Sequence, residues 1–174
     1  MIPDTITDIN AFRFWLPDEE GHFVQRPYFS VRAKCSCWKC GKETPVVGLG
    51  AKRVQSLVYE TEDKPVWREE EGPFLYTEID HMDEEIARVM QSNYPFFKKI
   101  YSKTHEHDLW GNCCVHCQAL QEEDGDYIFG CKSPFAPTSV EEAMEIRIVY
   151  FKLEFDYFIS AGYALNTLYF YLFE

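Results

Sequence analysis

Tyr28-Phe29-Ser30-Val31-Arg32-Ala33-Lys34 leads into Cys35-Ser36-Cys37-Trp38-Lys39-Cys40-Gly41, and Pro45-Val46-Val47-Gly48-Leu49 follows. The stretch reads as a strand, a C-x-x-C turn, a glycine and a return strand. Thiolates at that spacing can turn two sulfurs toward one point. The turn after the second cysteine favours a positive φ, which Gly41 meets without steric cost. A second pair, Cys114-Val115-His116-Cys117, repeats the spacing. Two such pairs make the closed tetrahedral cage of a structural zinc ion, with Cys37, Cys40, Cys114 and Cys117 as its ligands.

The pairs stand far apart, so residues 41–113 must carry structure of their own. Gln118 occupies the position where the second knuckle favours glycine. The remaining cysteines compete for the ion. On an extended chain Cys35 shares a face with Cys37 and could substitute for it. Cys113 adjoins Cys114, so its side chain should point away from the metal. Cys131 reads as a buried small hydrophobe. His116, inside the second knuckle, is the other alternative ligand.

The whole chain has 174 residues, with 46% hydrophobic and 26% charged, which fits a single globular domain (1–174) and argues against wholesale disorder. Aromatics reach 17%, as in a β-rich core. The net charge of −12 opposes a phosphate backbone and favours a basic partner. Lys34, Lys39 and Lys42 form the alternative, a local basic patch around the first cysteine pair. Residues 1–21 carry acids and no long apolar run, unlike a signal peptide or a membrane span. The expectation is a cytoplasmic protein whose cysteines are reduced thiols or metal ligands rather than disulfides.

The fold class read from the rest of the chain is α+β: an antiparallel sheet, two or three short helices and an inserted zinc ribbon formed by about 31–49 and 108–129. Residues 5–23 read as irregular structure or short strands. Residues 60–72, with the run Glu69-Glu70-Glu71, read as a solvated loop. Residues 74–79 read as a strand. Asp83 to Gln91 reads as a helix, with acids at its start, Ile86, Val89 and Met90 as its apolar stripe, and Pro95 as its stop. Residues 97–101 lead as a strand to the second cysteine pair, and Tyr127-Ile128-Phe129 forms its return strand. A short helix starts at Thr138 or Ser139. Chain from 146 onward turns to strand, 161–167 to a loop, and 168–173 to a last strand. One continuous C-terminal helix is the alternative.

Catalytic motifs are missing from the sequence: no G-x-S-x-G, no phosphate loop and no H-E-x-x-H. The zinc-deaminase pattern is missing too. A four-cysteine cage leaves no open position for water, so its metal would be structural and the chain not an enzyme. His105-Glu106-His107-Asp108 has a metal-like look if extended, since both imidazoles would share a face, but no third ligand is identifiable and a solvated loop competes. His81 with Asp80, Asp83 and Glu84 reads as a helix start rather than an acid–base cluster.

The segments Cys37-Trp38-Lys39-Cys40-Gly41-Lys42-Glu43-Thr44-Pro45-Val46-Val47 and Asn112-Cys113-Cys114-Val115-His116-Cys117-Gln118-Ala119-Leu120-Gln121 resemble those of uncharacterised bacterial zinc-ribbon proteins. The later Phe135-x-Pro137…Ala143 looks similar as well. Gln118 departs from the glycine of that pattern, and Glu122-Glu123-Asp124-Gly125-Asp126 lengthens its turn. The resemblance implies zinc binding and no activity.

Together these features point to a non-catalytic, acidic, zinc-stabilised binding protein. Its most concrete form is a bacterial immunity or antitoxin protein that blocks a basic toxin such as a nuclease. Glu69, Glu70, Glu71, Glu122, Glu123, Asp124 and Asp126 are the expected partner contacts. The rival is a zinc-ribbon regulator touching nucleic acid through Lys34, Lys39, Lys42, Lys52 and Arg53.

Overall fold

A computed structural model of the chain describes residues 21–61, 64–122, 126–130 and 133–165. The elements are β1 (His22–Ser36), β2 (Glu43–Thr61), β3 (Lys64–Met82), α1 (Glu84–Asn93), β4 (Phe97–Tyr101), β5 (Asp108–Asn112), α2 (Asp126–Phe129), α3 (Val140–Glu145), β6 (Arg147–Tyr150) and β7 (Tyr157–Leu165). Antiparallel sheet with a few short helices is therefore the observed architecture. The pairings β1–β2, β2–β3, β3–β7 and β7–β1 return to their starting strand, giving a barrel-like sheet. β6 adds to β1, and the β4–β5 hairpin joins β3 through Ile79 and Trp110.

Both faces of this sheet are covered where it carries the cysteines. Val47, Leu49, Tyr28, Tyr76 and Tyr157 belong to one buried cluster, closed by Ile86, Ala87 and Met90 of α1. Val46, Phe29, Val31 and Leu75 belong to another, under Ile128, Phe135 and Ile146. Successive strand residues point to opposite faces, so neighbours such as Val46 and Val47 feed different clusters. Burying each large apolar side chain here contributes about 1.5–3 kcal/mol. Gly50 lets β3 approach: a Cβ there would lie 2.5 Å from the Phe74 carbonyl oxygen and 2.7 Å from the Phe29 ring.

Helix α1 forms as expected, but its buried face is Ile86, Ala87 and Met90, with Val89 of the predicted stripe only half-buried. Glu84 and Glu85 occupy its first turn, and it ends at Tyr94, whose N–H donates to Met90 O just before Pro95. Asp83 does not cap it. Its Oδ2 instead accepts from Phe158 N at 3.0 Å, tying the helix start to β7. Ser139 caps α3 by accepting from Glu142 N, and the chain then turns to strand at Arg147.

Three local expectations are corrected. The acid-rich residues 60–72 are not a loop, since residues up to Thr61 end β2 and those from Lys64 belong to β3. Arg53 stands opposite Glu71 and Gln55 opposite Glu69 in that ladder. Cross-strand partners make this polar segment a strand, and they are distant in sequence. Residues 127–129 are not a return strand but part of α2, whose Ile128 plugs into the second cluster. The second knuckle returns earlier, through a bridge between Cys113 and Leu120. Residues 161–165 are strand rather than loop, and the continuous C-terminal helix is not formed there. Gly162 marks a close approach to Thr77, whose Oγ1 would lie 2.9 Å from an added Cβ. The expected strand 168–173, most of 5–23 and Cys131 lie outside the described residues.

Candidate metal centre

β1 ends at Ser36 and β2 begins at Glu43, so the first knuckle is the tip of a hairpin. Cys37 N donates to Lys42 O at 2.8 Å, and Gly41 N to Cys37 O at 2.8 Å. The second knuckle repeats this pattern. Cys114 N donates to Ala119 O at 2.9 Å, and Gln118 N to Cys114 O at 2.9 Å. The two turns also share their backbone twist, with φ of 71° at Gly41 and 61° at Gln118. Gln118 thus adopts the left-handed conformation in which glycine was the expected residue. Its side chain is held on both sides: Lys98 Nζ donates to Oε1 at 2.8 Å, and Nε2 donates to Cys114 O at 3.2 Å.

The four sulfurs of Cys37, Cys40, Cys114 and Cys117 all lie within 4.8 Å of one another. Cys37 Sγ is 3.6 Å from Cys117 Sγ, and Cys40 Sγ is 3.8 Å from Cys114 Sγ. A tetrahedron with metal–sulfur arms of ~2.3 Å has edges of about 3.8 Å, so this quartet could hold a metal ion. Backbone N–H groups support the inner thiolates: Lys39 N lies 3.4 Å from Cys37 Sγ, and His116 N 3.4 Å from Cys114 Sγ.

Burial resists charging Cys37, but the N–H groups of Cys40 and Lys39 and the neighbouring sulfurs outweigh it and draw its thiol down to about 6. Cys114 moves down as well: burial opposes it, and the N–H groups of Cys117 and His116 prevail. Cys117 moves the other way: the Ala119 N–H lowers it, but burial and the sulfurs of Cys37, Cys114 and Cys40 outweigh that and push it up to about 11. Burial pushes Cys35 and Cys113 up to about 11, which keeps them thiols at neutral pH. Cys35 packs against the second apolar cluster, and Cys113 is buried. His116 is occupied elsewhere, with Nε2 3.0 Å from Glu43 O.

A ring of polar contacts joins the knuckles. Trp38 Nε1 donates to Leu120 O at 2.7 Å, Val115 N to the buried Thr44 Oγ1 at 3.1 Å, and Gln121 Nε2 reaches Cys37 Sγ at 3.6 Å. Beneath them, Asn112 bonds the backbone of Val47 through both ends of its amide. Glu122 Oε2 accepts from Asn112 N at 2.8 Å, and Oε1 from Asn112 Nδ2. Burial raises the Glu122 carboxyl to about 7. The sequence reading missed Asn112 and Gln121, because an amide's role is set by what the fold places beside it.

The proposed partner contacts separate. Glu69 and Glu71 are exposed on β3, and Glu70 between them is half-buried. Glu122 is only 4% exposed and committed to Asn112, so it offers no surface to a partner. Glu123 and Asp124 lie outside the described residues, and Asp126 begins α2. The basic patch is partly spent internally. Lys34 Nζ donates to Glu43 at 2.7 Å, and Arg53 Nη2 to Arg26 O at 3.0 Å. Beside the first knuckle runs a cleft of about 1010 Å³, lined by Arg32, Lys34, Cys35, Tyr127, Glu142 and Arg147 among others. No helix among the described residues is long and apolar enough to cross a membrane. No family model, curated protein or solved structure matches the chain.

Proposed function

We propose that this chain is a non-catalytic, acidic binding module stapled by one structural zinc ion, and that its partner is a basic protein. The single observation that carries the reading is the closed sulfur quartet at the tip of an acidic barrel. Four thiolates fill a tetrahedral ion's coordination sphere, so such a centre fixes structure and offers no position to a substrate. The same set of soft donors favours zinc over oxygen-seeking cations. What remains for function is surface. The net charge of −12 supports a cationic partner, and the exposed Glu69 and Glu71 on the β2–β3 hairpin are its candidate contacts. An immunity or antitoxin protein covering the phosphate site of a basic toxin is the most concrete case.

The test is recovery of partners from native lysate, followed by binding kinetics at two salt concentrations. The association rate should fall as salt rises, because steering is screened over about 8 Å at physiological ionic strength. The double reversal Glu69→Lys and Glu71→Lys should slow association with little change in dissociation. Tight, salt-sensitive binding to DNA or RNA with no protein recovered would overturn the reading in favour of a nucleic-acid regulator.

A further inference from the structure

The two edges of β1 are covered unequally. On one side β2 accompanies it as far as Ser36, which stands opposite Glu43. On the other side β6 pairs only from Phe29 to Arg32, where Arg32 meets Arg147. Among the described residues no strand continues past that point, so residues 33–36 keep an open edge. That edge forms one wall of the cleft of about 1010 Å³ beside the first knuckle, which is lined by Arg32, Ala33, Lys34, Cys35 and Ser36 in an unbroken run. A cleft over one sheet face would touch alternate residues, whereas an unbroken run marks the edge itself.

The direction of the backbone groups follows from their partners. Phe151 N donates to Tyr28 O on the β6 side, and Cys37 N donates to Lys42 O on the β2 side. Backbone groups of successive strand residues alternate between the two edges, so the even-numbered residues from Tyr28 to Ser36 face β6 and the cleft. Pro45, which has no N–H to give, stands opposite Lys34, as this alternation requires. The N–H and C=O of Lys34 and the N–H of Ser36 thus point into the cleft. Tyr127 OH donates to Ser36 O, where a neighbouring strand would otherwise bond. We infer that this edge takes an extended segment of a partner protein, apolar and acidic at alternate positions, as an added strand of the sheet.

The cleft walls define the occupant. Ala33 and Cys35 pack against the second apolar cluster, which also holds Ile146 and Tyr127. Arg32 and Arg147 stand directly opposite each other, an arrangement that like charges disfavour. Neither makes an ion pair among the described residues. Arg32 has the Tyr94 ring, 5.6 Å from its guanidinium carbon. Helix α3 supplies two carboxylates to the cleft, Glu142 and Glu145. Glu142 accepts from Thr138 N at 2.7 Å and from Thr138 Oγ1 at 2.9 Å, so the two arginines outnumber the carboxylate that remains. Ser133 also lines the cleft, and its Oγ is buried with no hydrogen-bond partner, although buried polar atoms are almost always paired. An added strand presents its side chains alternately. Its apolar residues continue the face of Ala33 and Cys35, and its acidic ones meet Arg32 and Arg147. The site does not rest on the basic partner proposed above, whose contacts Glu69 and Glu71 lie on β3.

The test pans the whole zinc-loaded chain against a displayed library of short random peptides, and the best binder is then made synthetically. Enriched peptides should alternate apolar and acidic residues. Before peptide is added, the amides of Lys34 and Ser36 should exchange hydrogen quickly, while those of Ala33 and Cys35, which face β2, are protected. Saturating peptide should slow exchange at Lys34 and Ser36 by at least about tenfold. The double reversal Arg32→Glu/Arg147→Glu changes exposed side chains and should weaken the peptide by about tenfold or more, with zinc content unchanged. An unenriched library, or enrichment of basic peptides, would overturn the inference. So would a peptide that leaves the Lys34 and Ser36 amides exchanging as before, or one that the double reversal binds as tightly as wild type.

Discussion

The side-chain amide of Asn112 lies along the backbone of Val47 as another strand residue would. Its Oδ1 accepts from Val47 N at 2.7 Å, and its Nδ2 donates to Val47 O at 2.9 Å. The β2–β3 ladder begins only at Gly50 and Leu75, so β3 does not serve Val47 on that side. Asn112 fills the gap, and two residues later the chain reaches Cys114. One side chain thus fixes the distance between the hairpin that bears Cys37 and the strand that delivers Cys114. The two knuckles face each other because the scaffold holds them so, and an ion binding there has less chain to order.

Asn112→Ala should therefore destabilise the chain by about 2–4 kcal/mol, because Val47 N–H, Val47 C=O and the Glu122 carboxyl all lose a buried partner. Asn112→Asp should cost at least as much, since a carboxylate would face both the Val47 carbonyl and Glu122. Urea titration checks this: the midpoint should drop at an unchanged slope.

Cage variants should separate ligands from bystanders. Cys40→Ser and Cys117→Ser should each lose one zinc relative to wild type and most of the order of the knuckles, since the remaining thiolates keep their mutual repulsion without a cation. Cys35→Ser should keep that zinc and shift stability only mildly, because Cys35 packs against apolar neighbours. Elemental analysis with thermal melts reads both quantities. Equal losses for all three would show that the sulfurs pack rather than coordinate.

How much of this was legible beforehand follows from the range of the interactions. The knuckles were readable because a C-x-x-C turn and its glycine are local. So was α1, whose burial face is written in its own spacing. The hairpin through Glu69–Glu71 was not, because its strand character rests on the register with Arg53 and Gln55. The early return of the second knuckle was hidden for a similar reason. Leu120 pairs with Cys113 because Gln118 accepts a left-handed turn that its residue type disfavours. Glu122 read as surface because an acid is usually solvated, and its burial depends on Asn112.

The two knuckle turns permit a matched comparison. Gly41 has φ of 71° with no atom within 4 Å of an added Cβ, so Gly41→Ala meets only the backbone cost of the left-handed conformation, about 1–2 kcal/mol. Gln118→Gly removes the same backbone cost but loses the bonds to Lys98 and Cys114 O. Its stability gain should be smaller than the Gly41→Ala loss. Chemical denaturation of both variants at one zinc concentration provides the comparison, and a Gly41→Ala variant as stable as wild type would contradict the knuckle geometry.

The last prediction concerns pH. Burial raises the Glu122 carboxyl from 4.5 to about 7. The folded state then binds a proton that the unfolded chain has already released, so stability must fall as pH rises across that interval. The contribution is fully present below pH 4.5 and lost once pH passes about 7. A gap of that size corresponds to about 3 kcal/mol. Glu122→Gln cannot titrate, so the difference in unfolding free energy between wild type and variant should drop by that amount over the interval and level off above it. Taking the difference removes the pH dependence of the cysteines, which both proteins share. Denaturation curves at a series of pH values would show it. A difference that stays flat would mean that the two bonds from Asn112 hold Glu122 ionised throughout.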